Sequence, residues 1–160
     1  MLEAEKMEEW IPKAKELASR VYVFSSLVKK LLDEKRLTLK EAQKAEKITY
    51  HDSCHAKRFL GIHKEPREVI QRAGHELKEM FEADICCGMA GSYTLKQPEI
   101  SRQILKRKIK NIEETGADAV AVECPGCLMQ IKGGLDKAES KVKAKHVAQV
   151  LAANLEDGKR

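Results

Sequence analysis

Ala117-Asp118-Ala119-Val120-Ala121-Val122-Glu123-Cys124-Pro125-Gly126-Cys127 is the stretch whose reading decides the fold. Ala117–Glu123 is a nearly unbroken apolar run of strand length, the pattern of a strand buried on both faces of a parallel sheet. Pro125 suits the first turn of a helix, where its missing N–H has no partner to lose. Gly133-Gly134 is the expected end of that helix. A strand that runs straight into a helix, with thiols at the joint, marks a β–α unit.

Similar units extend in both directions. Upstream, Pro98–Thr115 is the clearest helix, with Ile100, Ile104, Leu105, Ile109 and Ile112 on one face and Gly116 as its stop. Its basic run Arg102, Lys106, Arg107, Lys108 and Lys110 reads first as a solvated helix face. A docking patch for an acidic redox partner is the lesser reading. Downstream, Val142–Lys145 is a last strand and His146–Leu155 a helix with Val147, Val150 and Leu151 inward, before a frayed tail at Glu156–Arg160. Lys47–His51 is β-branched and aromatic, hence a strand. Pro66–Ala73 reads as a short helix stopped by Gly74, and His75–Phe81 fits a strand better than a helical turn.

Near the start, Met7, Trp10, Ile11, Ala14, Leu17, Ala18 and Val21 form one stripe of an amphipathic helix. Phe24, Leu27, Val28, Leu31 and Leu32 continue it after a bend. Residues 33–46 are a polar connector in which Thr38 and Glu41 have capping-box spacing. The expected fold is α/β: a mostly parallel sheet of about four strands flanked by helices, with two N-terminal helices. Residues 1–46 form a helical segment packed on an α/β domain at 47–160, one compact domain in all, with no internal repeat.

Composition narrows the function. The chain has 160 residues, enough to bury a core without disulfides. Thirty basic and 25 acidic residues leave a mild net charge of +5, and 4% aromatic content is too little for a base-stacking platform, so no nucleic-acid partner is expected. No apolar run approaches the ~20 residues of a membrane span. The start is charged throughout, without the apolar core of a signal peptide. A cytoplasmic, reducing setting is expected, where clustered cysteines bind metals or react more often than they cross-link.

The five cysteines are Cys54, Cys86, Cys87, Cys124 and Cys127, an odd number that no closed disulfide set uses up. Each group follows the end of an expected strand, and open parallel sheets bind ligands beyond their carboxyl edge. Cys124 precedes Pro125 and so sits at a helix start, with Cys127 in the first turn, where free N–H groups favour thiolates. Gly88, Gly91 and Gly126 let the backbone approach an inorganic core. Three alternatives stand beside a cluster: small buried hydrophobes, a thioredoxin-like pair at Cys124/Cys127, and a Cys₃His or Cys₄ zinc site. His51, His55 and His146 are the imidazoles available for zinc. His51 or Asp52 reads more readily as a loop anchor through hydrogen bonds, and His63 and His75 as surface residues.

The spacing Cys54-x31-Cys86-Cys87-Gly88-x35-Cys124-Pro125-Gly126-Cys127 resembles the cysteine-rich CCG domain. That domain occurs in heterodisulfide reductase and in iron–sulfur subunits of glycolate oxidase, lactate-utilisation and anaerobic glycerol-3-phosphate dehydrogenase complexes. The likeness takes in Tyr50-His51-Asp52, Pro66-Arg67, Cys86–Ser92, Pro98-Glu99, Glu114–Asp118 and Lys145-His146, and covers roughly residues 5–155. It implies a [4Fe-4S]-type cluster, non-cubane in the heterodisulfide reductases, held by Cys54, Cys86, Cys87, Cys124 and Cys127. Five thiolates exceed the four of a cubane. Ser53 stands where the family often has Pro, and Ala90 where it often has Gly. Such subunits usually carry two repeats, so the chain resembles the C-terminal repeat of a larger subunit. With no dinucleotide fingerprint, a flavin-containing or ferredoxin-like subunit, or the missing N-terminal half of the same subunit, is the expected partner. The expected function is an electron-transfer or disulfide-reducing domain of an oxidoreductase complex.

Overall fold

The computed structural model describes residues 8–40, 42, 44–152 and 154. Four strands, β1 (Lys47–Tyr50), β2 (Glu76–Leu77), β3 (Ala119–Val122) and β4 (Lys143–His146), form one sheet in the order β2-β1-β3-β4. Every neighbouring pair is parallel, with Ile48 opposite Leu77 and Ala119, and Val122 opposite His146. The helices are α1 (Ile11–Ser19), α2 (Phe24–Asp33), α3 (Glu65–Arg72), α4 (Tyr93–Lys96), α5 (Pro98–Glu114), α6 (Pro125–Lys137) and α7 (Val147–Ala152). The fold is α/β, as expected. Among the described residues, no helix is long and apolar enough to cross a membrane.

Side chains of β3 alternate between two cores, and this explains its unbroken apolar run. Val120 and Val122 pack with Ile109 and Ile112 of α5 and Ile131 and Leu135 of α6. Ala121 joins Ile48 and Tyr50 of β1 against Val28 of α2, Val69 and Ile70 of α3, and Val147, Val150 and Leu151 of α7. Each fully buried Ile or Val contributes about 1.5–3 kcal/mol. With helices on both faces, the sheet order reverses direction at β1 and β3. The crevice beyond their carboxyl ends is the ligand position of such sheets.

Several expectations are corrected. His75–Phe81 is a strand only at Glu76–Leu77. Beyond the Lys78 N–H bond to Ile48 O, the chain turns away, because α5 supplies the next partners: Asn111 Nδ2 donates to Phe81 O, and Lys108 Nζ to Glu82 O and Ala83 O. Gly133-Gly134 does not end α6, which runs on to Lys137. Gly134 is a packing glycine, since a Cβ there would lie 2.9 Å from Ile109 Cδ1 and 3.0 Å from Leu105 Cδ1.

Lys108 does not belong to a solvated face; it is 1% exposed. His75 is half-buried and accepts the Glu46 N–H at Nδ1, and His63 is half-buried too. At the N-terminus α2 docks through Val28 and Ser25, but α1 buries no side chain. The α1 stripe is therefore exposed, with Leu17 at 65% and Val21 at 69%. Met7 of that stripe, Glu41 of the capping pair, Leu155 and the tail 156–160 lie outside the described residues.

Candidate metal centre

β1 delivers the first side chain. The His51 N–H donates to Ala121 O at 3.0 Å, prolonging the β1–β3 pairing, and the Asp52 N–H donates to Ala83 O at 3.1 Å. Ile48 and Tyr50 face α2, α3 and α7, so the pleat turns His51 to the α5/α6 side. There its ring lies beside two buried thiols. A ring nitrogen of His51, Cys87 Sγ and Cys127 Sγ all fall within 4.8 Å of one another. His51 is 1% exposed, and neither ring nitrogen meets a hydrogen-bond partner among the described residues.

The other cysteines are placed less centrally. Cys127 lies in the first turn of α6 and Cys124 is its extended N-cap residue, with a side chain beside that of Cys127. Cys86 is half-buried, and its Sγ accepts the Gly88 N–H at 3.3 Å. Cys54 is exposed and opens a single π-helical turn, His55–Phe59. The close group thus joins Cys87 and Cys127 to His51, with Cys124 alongside, and does not include Cys54 or Cys86.

The loop between Cys87 and α4 is held by backbone geometry. Gly88 has φ +89, and a Cβ there would come 2.6 Å from Ser101 O. Its carbonyl accepts from Ser101 Oγ at 2.8 Å and Thr94 Oγ1 at 3.3 Å. Gly91 has φ +56 in open space. Ala90 has φ +39, so a residue with a side chain occupies a left-handed position. Gly126 brings α6 close to the loop: its Cβ would lie 3.4 Å from Met89 Cγ.

The thiols interact electrostatically. A hydrogen bond from Cys127 pulls the Cys87 thiol well below its ordinary range, aided by His51 and the Met89 N–H and opposed by burial. Cys127 is correspondingly pushed up, first by that bond to Cys87 and then by burial. The two shifts run in opposite directions because the sulfurs interact with one another. On the same core Lys108 is pulled down to about 8 by burial, while the negative charges of Cys87 and Asp84 resist the change. It is a buried amine on the same core as Cys87.

Asp52 carries out the anchoring role expected of His51 or Asp52. Its carboxylate is paired with Arg67 through Nη1 at 2.8 Å and Nη2 at 3.0 Å, and Arg67 also donates to Glu79 and to His63 O. His146 is not available as a ligand. Its Nε2 meets Glu123 O at 3.0 Å and its Nδ1 accepts the Ala148 N–H. His55 is exposed against Phe59. Glu123, just before Cys124, accepts from Ser25 N–H, Ser25 Oγ and Tyr50 Oη.

Sequence reading placed Lys108 on a solvated face, gave Arg67 no role, and left His51 either as a loop anchor or as a candidate ligand. Lys108 lies four residues before Ile112 and three after Leu105, on the inward stripe of α5, and that spacing was the available signal. For His51 the signal was strand alternation, which places it opposite Tyr50.

Two buried thiols, a third beside them and an imidazole with open nitrogens are a soft-to-borderline donor set that suits zinc or iron. The orphaned ring is the observation that fits a metal here, because a bound core would satisfy it. The sequence profile of the CCG cysteine-rich domain matches residues 48–132. The chain belongs to the CCG cysteine-rich domain family. This CCG domain is 35% identical over 157 residues to lactate utilization protein A 1 of Bacillus mycoides (strain KBAB4), covering 97% of the chain and 62% of that relative. It is 35% identical over 145 residues to lactate utilization protein A of Bacillus subtilis (strain 168), covering 89% and 59%. A third relative, lactate utilization protein A of Halalkalibacterium halodurans, is 35% identical over 144 residues, covering 89% and 57%. The CCG domain thus spans about three-fifths of the length of these relatives.

Proposed function

We propose that this CCG domain binds an iron–sulfur cluster and transfers electrons within an oxidoreductase complex of the heterodisulfide reductase or lactate-utilisation kind. The observation that carries the reading is the buried Cys87–Cys127 pair at the sheet's switch point, with an unpartnered imidazole facing it. A bound cluster supplies one-electron chemistry. Cys54, Cys86, Cys87, Cys124 and Cys127 are the proposed ligands, while Gly88, Gly91 and Gly126 leave room for the backbone to approach. Cys87 is the thiol of the pair held below its ordinary range, Lys108 offsets buried negative charge, and the Asp52–Arg67 pair fixes the loop that carries Cys54. A flavin-containing or ferredoxin-like subunit, or the remainder of a longer subunit, is the proposed electron partner, in the cytoplasm. The relatives' names support a lactate-utilisation setting.

A second reading, a zinc domain, is favoured by the nitrogen–sulfur composition of the close group. Anaerobic purification followed by iron, acid-labile sulfide and zinc analysis, with EPR, decides between them. Iron and sulfide in near-equal amounts are expected; one zinc per chain without iron or sulfide would overturn the cluster. Cys87→Ser and Cys127→Ser are expected to abolish retention, and Cys54→Ser and Cys86→Ser measure how many thiolates take part.

A further inference from the structure

We infer that the His51 imidazole is itself a ligand of the metal core held by Cys87 and Cys127, so that the donor set is mixed nitrogen and sulfur. The inference rests on the reading that this site binds a metal, but not on which metal.

A neutral imidazole carries one donor and one acceptor. Leaving a buried polar atom unpaired costs about 1–3 kcal/mol, so unpartnered buried groups call for an explanation. His51 has two such nitrogens at 1% exposure. Its chain neighbour Asp52 is engaged with Arg67, and the Cys87 and Cys127 sulfurs are the ligand atoms that lie beside its ring. The ring is also preset. The backbone of His51 is pinned to β3 by its N–H bond to Ala121 O, so the sheet, and not a loop, aims the side chain. Among the described histidines, His51 alone is buried with both nitrogens open. His146 uses both, His75 uses Nδ1, and His63 and His55 are not buried. A nitrogen ligand is neutral where a thiolate is anionic. Substituting imidazole for thiolate raises the potential of an iron–sulfur centre, as in the Rieske type.

The test uses the full chain, freed of metal and loaded with a magnetically active cadmium isotope after labelling of its histidines with nitrogen-15. NMR is expected to show nitrogen–cadmium splitting on one histidine, absent in His51→Asn. Cadmium affinity of His51→Ala is expected to fall by more than the roughly 10–100-fold that loss of a supporting residue costs. In reconstituted iron–sulfur protein, pulsed EPR is expected to show the strong nitrogen coupling of a directly bound imidazole. A cadmium shift typical of sulfur-only coordination with no split histidine would overturn the inference, and so would only weak nitrogen coupling in the cluster. The wild-type splitting needs no variant, so a His51 substitution that fails to fold leaves the test intact. The two readings also fail separately. Split His51 without iron or sulfide sinks the cluster and keeps the ligand. A cluster without nitrogen coupling does the reverse.

Discussion

Gly88→Ala is the sharpest test of the loop that carries the paired cysteines, and Gly91→Ala is its internal control. Both positions have positive φ, +89 and +56, so alanine meets the left-handed penalty of about 1–2 kcal/mol at each. At Gly91 nothing lies within 4 Å of the added Cβ, and the cost ends there. At Gly88 the Cβ would sit 2.6 Å from Ser101 O and 3.4 Å from Ser101 Oγ. Ser101 O is main chain in the first turn of α5 and cannot rotate aside. Relief requires moving the loop off the helix, an overpacking cost of about 1–3 kcal/mol. That movement also weakens the Ser101 Oγ bond to Gly88 O, worth about 0.5–1.5 kcal/mol. The expected loss is about 3–5 kcal/mol for Gly88→Ala against about 1–2 kcal/mol for Gly91→Ala. Urea unfolding of metal-free protein, followed by far-ultraviolet circular dichroism, reads both. Equal destabilisation of the two variants would refute the claim that α5 presses on the loop through Gly88.

Ala90→Gly is expected to stabilise the metal-free protein by about 1 kcal/mol, because φ +39 suits glycine; an unchanged urea midpoint would count against strain there. Arg67→Met leaves the 2%-exposed Asp52 carboxylate without its main partner and should cost about 3–5 kcal/mol, largely recovered when Asp52→Asn is added; the double-mutant cycle checks this. Lys108 has a folded pKa of about 8 against an ordinary 10.5, so between those values the unfolded chain binds more protons and stability rises with pH. The slope of unfolding free energy against pH across that window should be smaller in Lys108→Met than in the wild type, a difference that cancels the titration of the thiols common to both.

Most of the layer order was legible because parallel strands buried on both faces must be apolar throughout, as Ala119–Val122 is, and because Pro98 and Pro125 mark where helices begin. The placement of Cys54 and of Cys124 close after strand ends followed from the same alternation, whereas Cys86 comes nine residues after β2 ends at Leu77. Long-range partners decided what was misread. His75–Phe81 has strand-like composition, but α5 side chains take the carbonyls at its end and just beyond: Asn111 that of Phe81, 30 residues away, and Lys108 that of Glu82, 26 residues away. Gly133-Gly134 looks like a stop signal until α5 is set against it, where absence of a Cβ is a packing requirement. At the site, residue type pointed to the cysteines, whereas the burial of His51 beside Cys87 and Cys127 depends on which face of β1 it takes.

Ser25 donates twice to a carboxylate 98 residues further along, and Glu123 also takes the Tyr50 hydroxyl. This joint closes three elements over Cys124. Its closure sets a timetable: on the ribosome, α2 can pack on α3 once both are made, but Ser25 gains its carboxylate partner only after β3 has emerged. Contacts of such long sequence separation form late, because their loop-closure entropy is met only once the intervening chain is ordered. The residue ahead of Cys124 therefore gains this support only after α2, β1 and β3 have all been made.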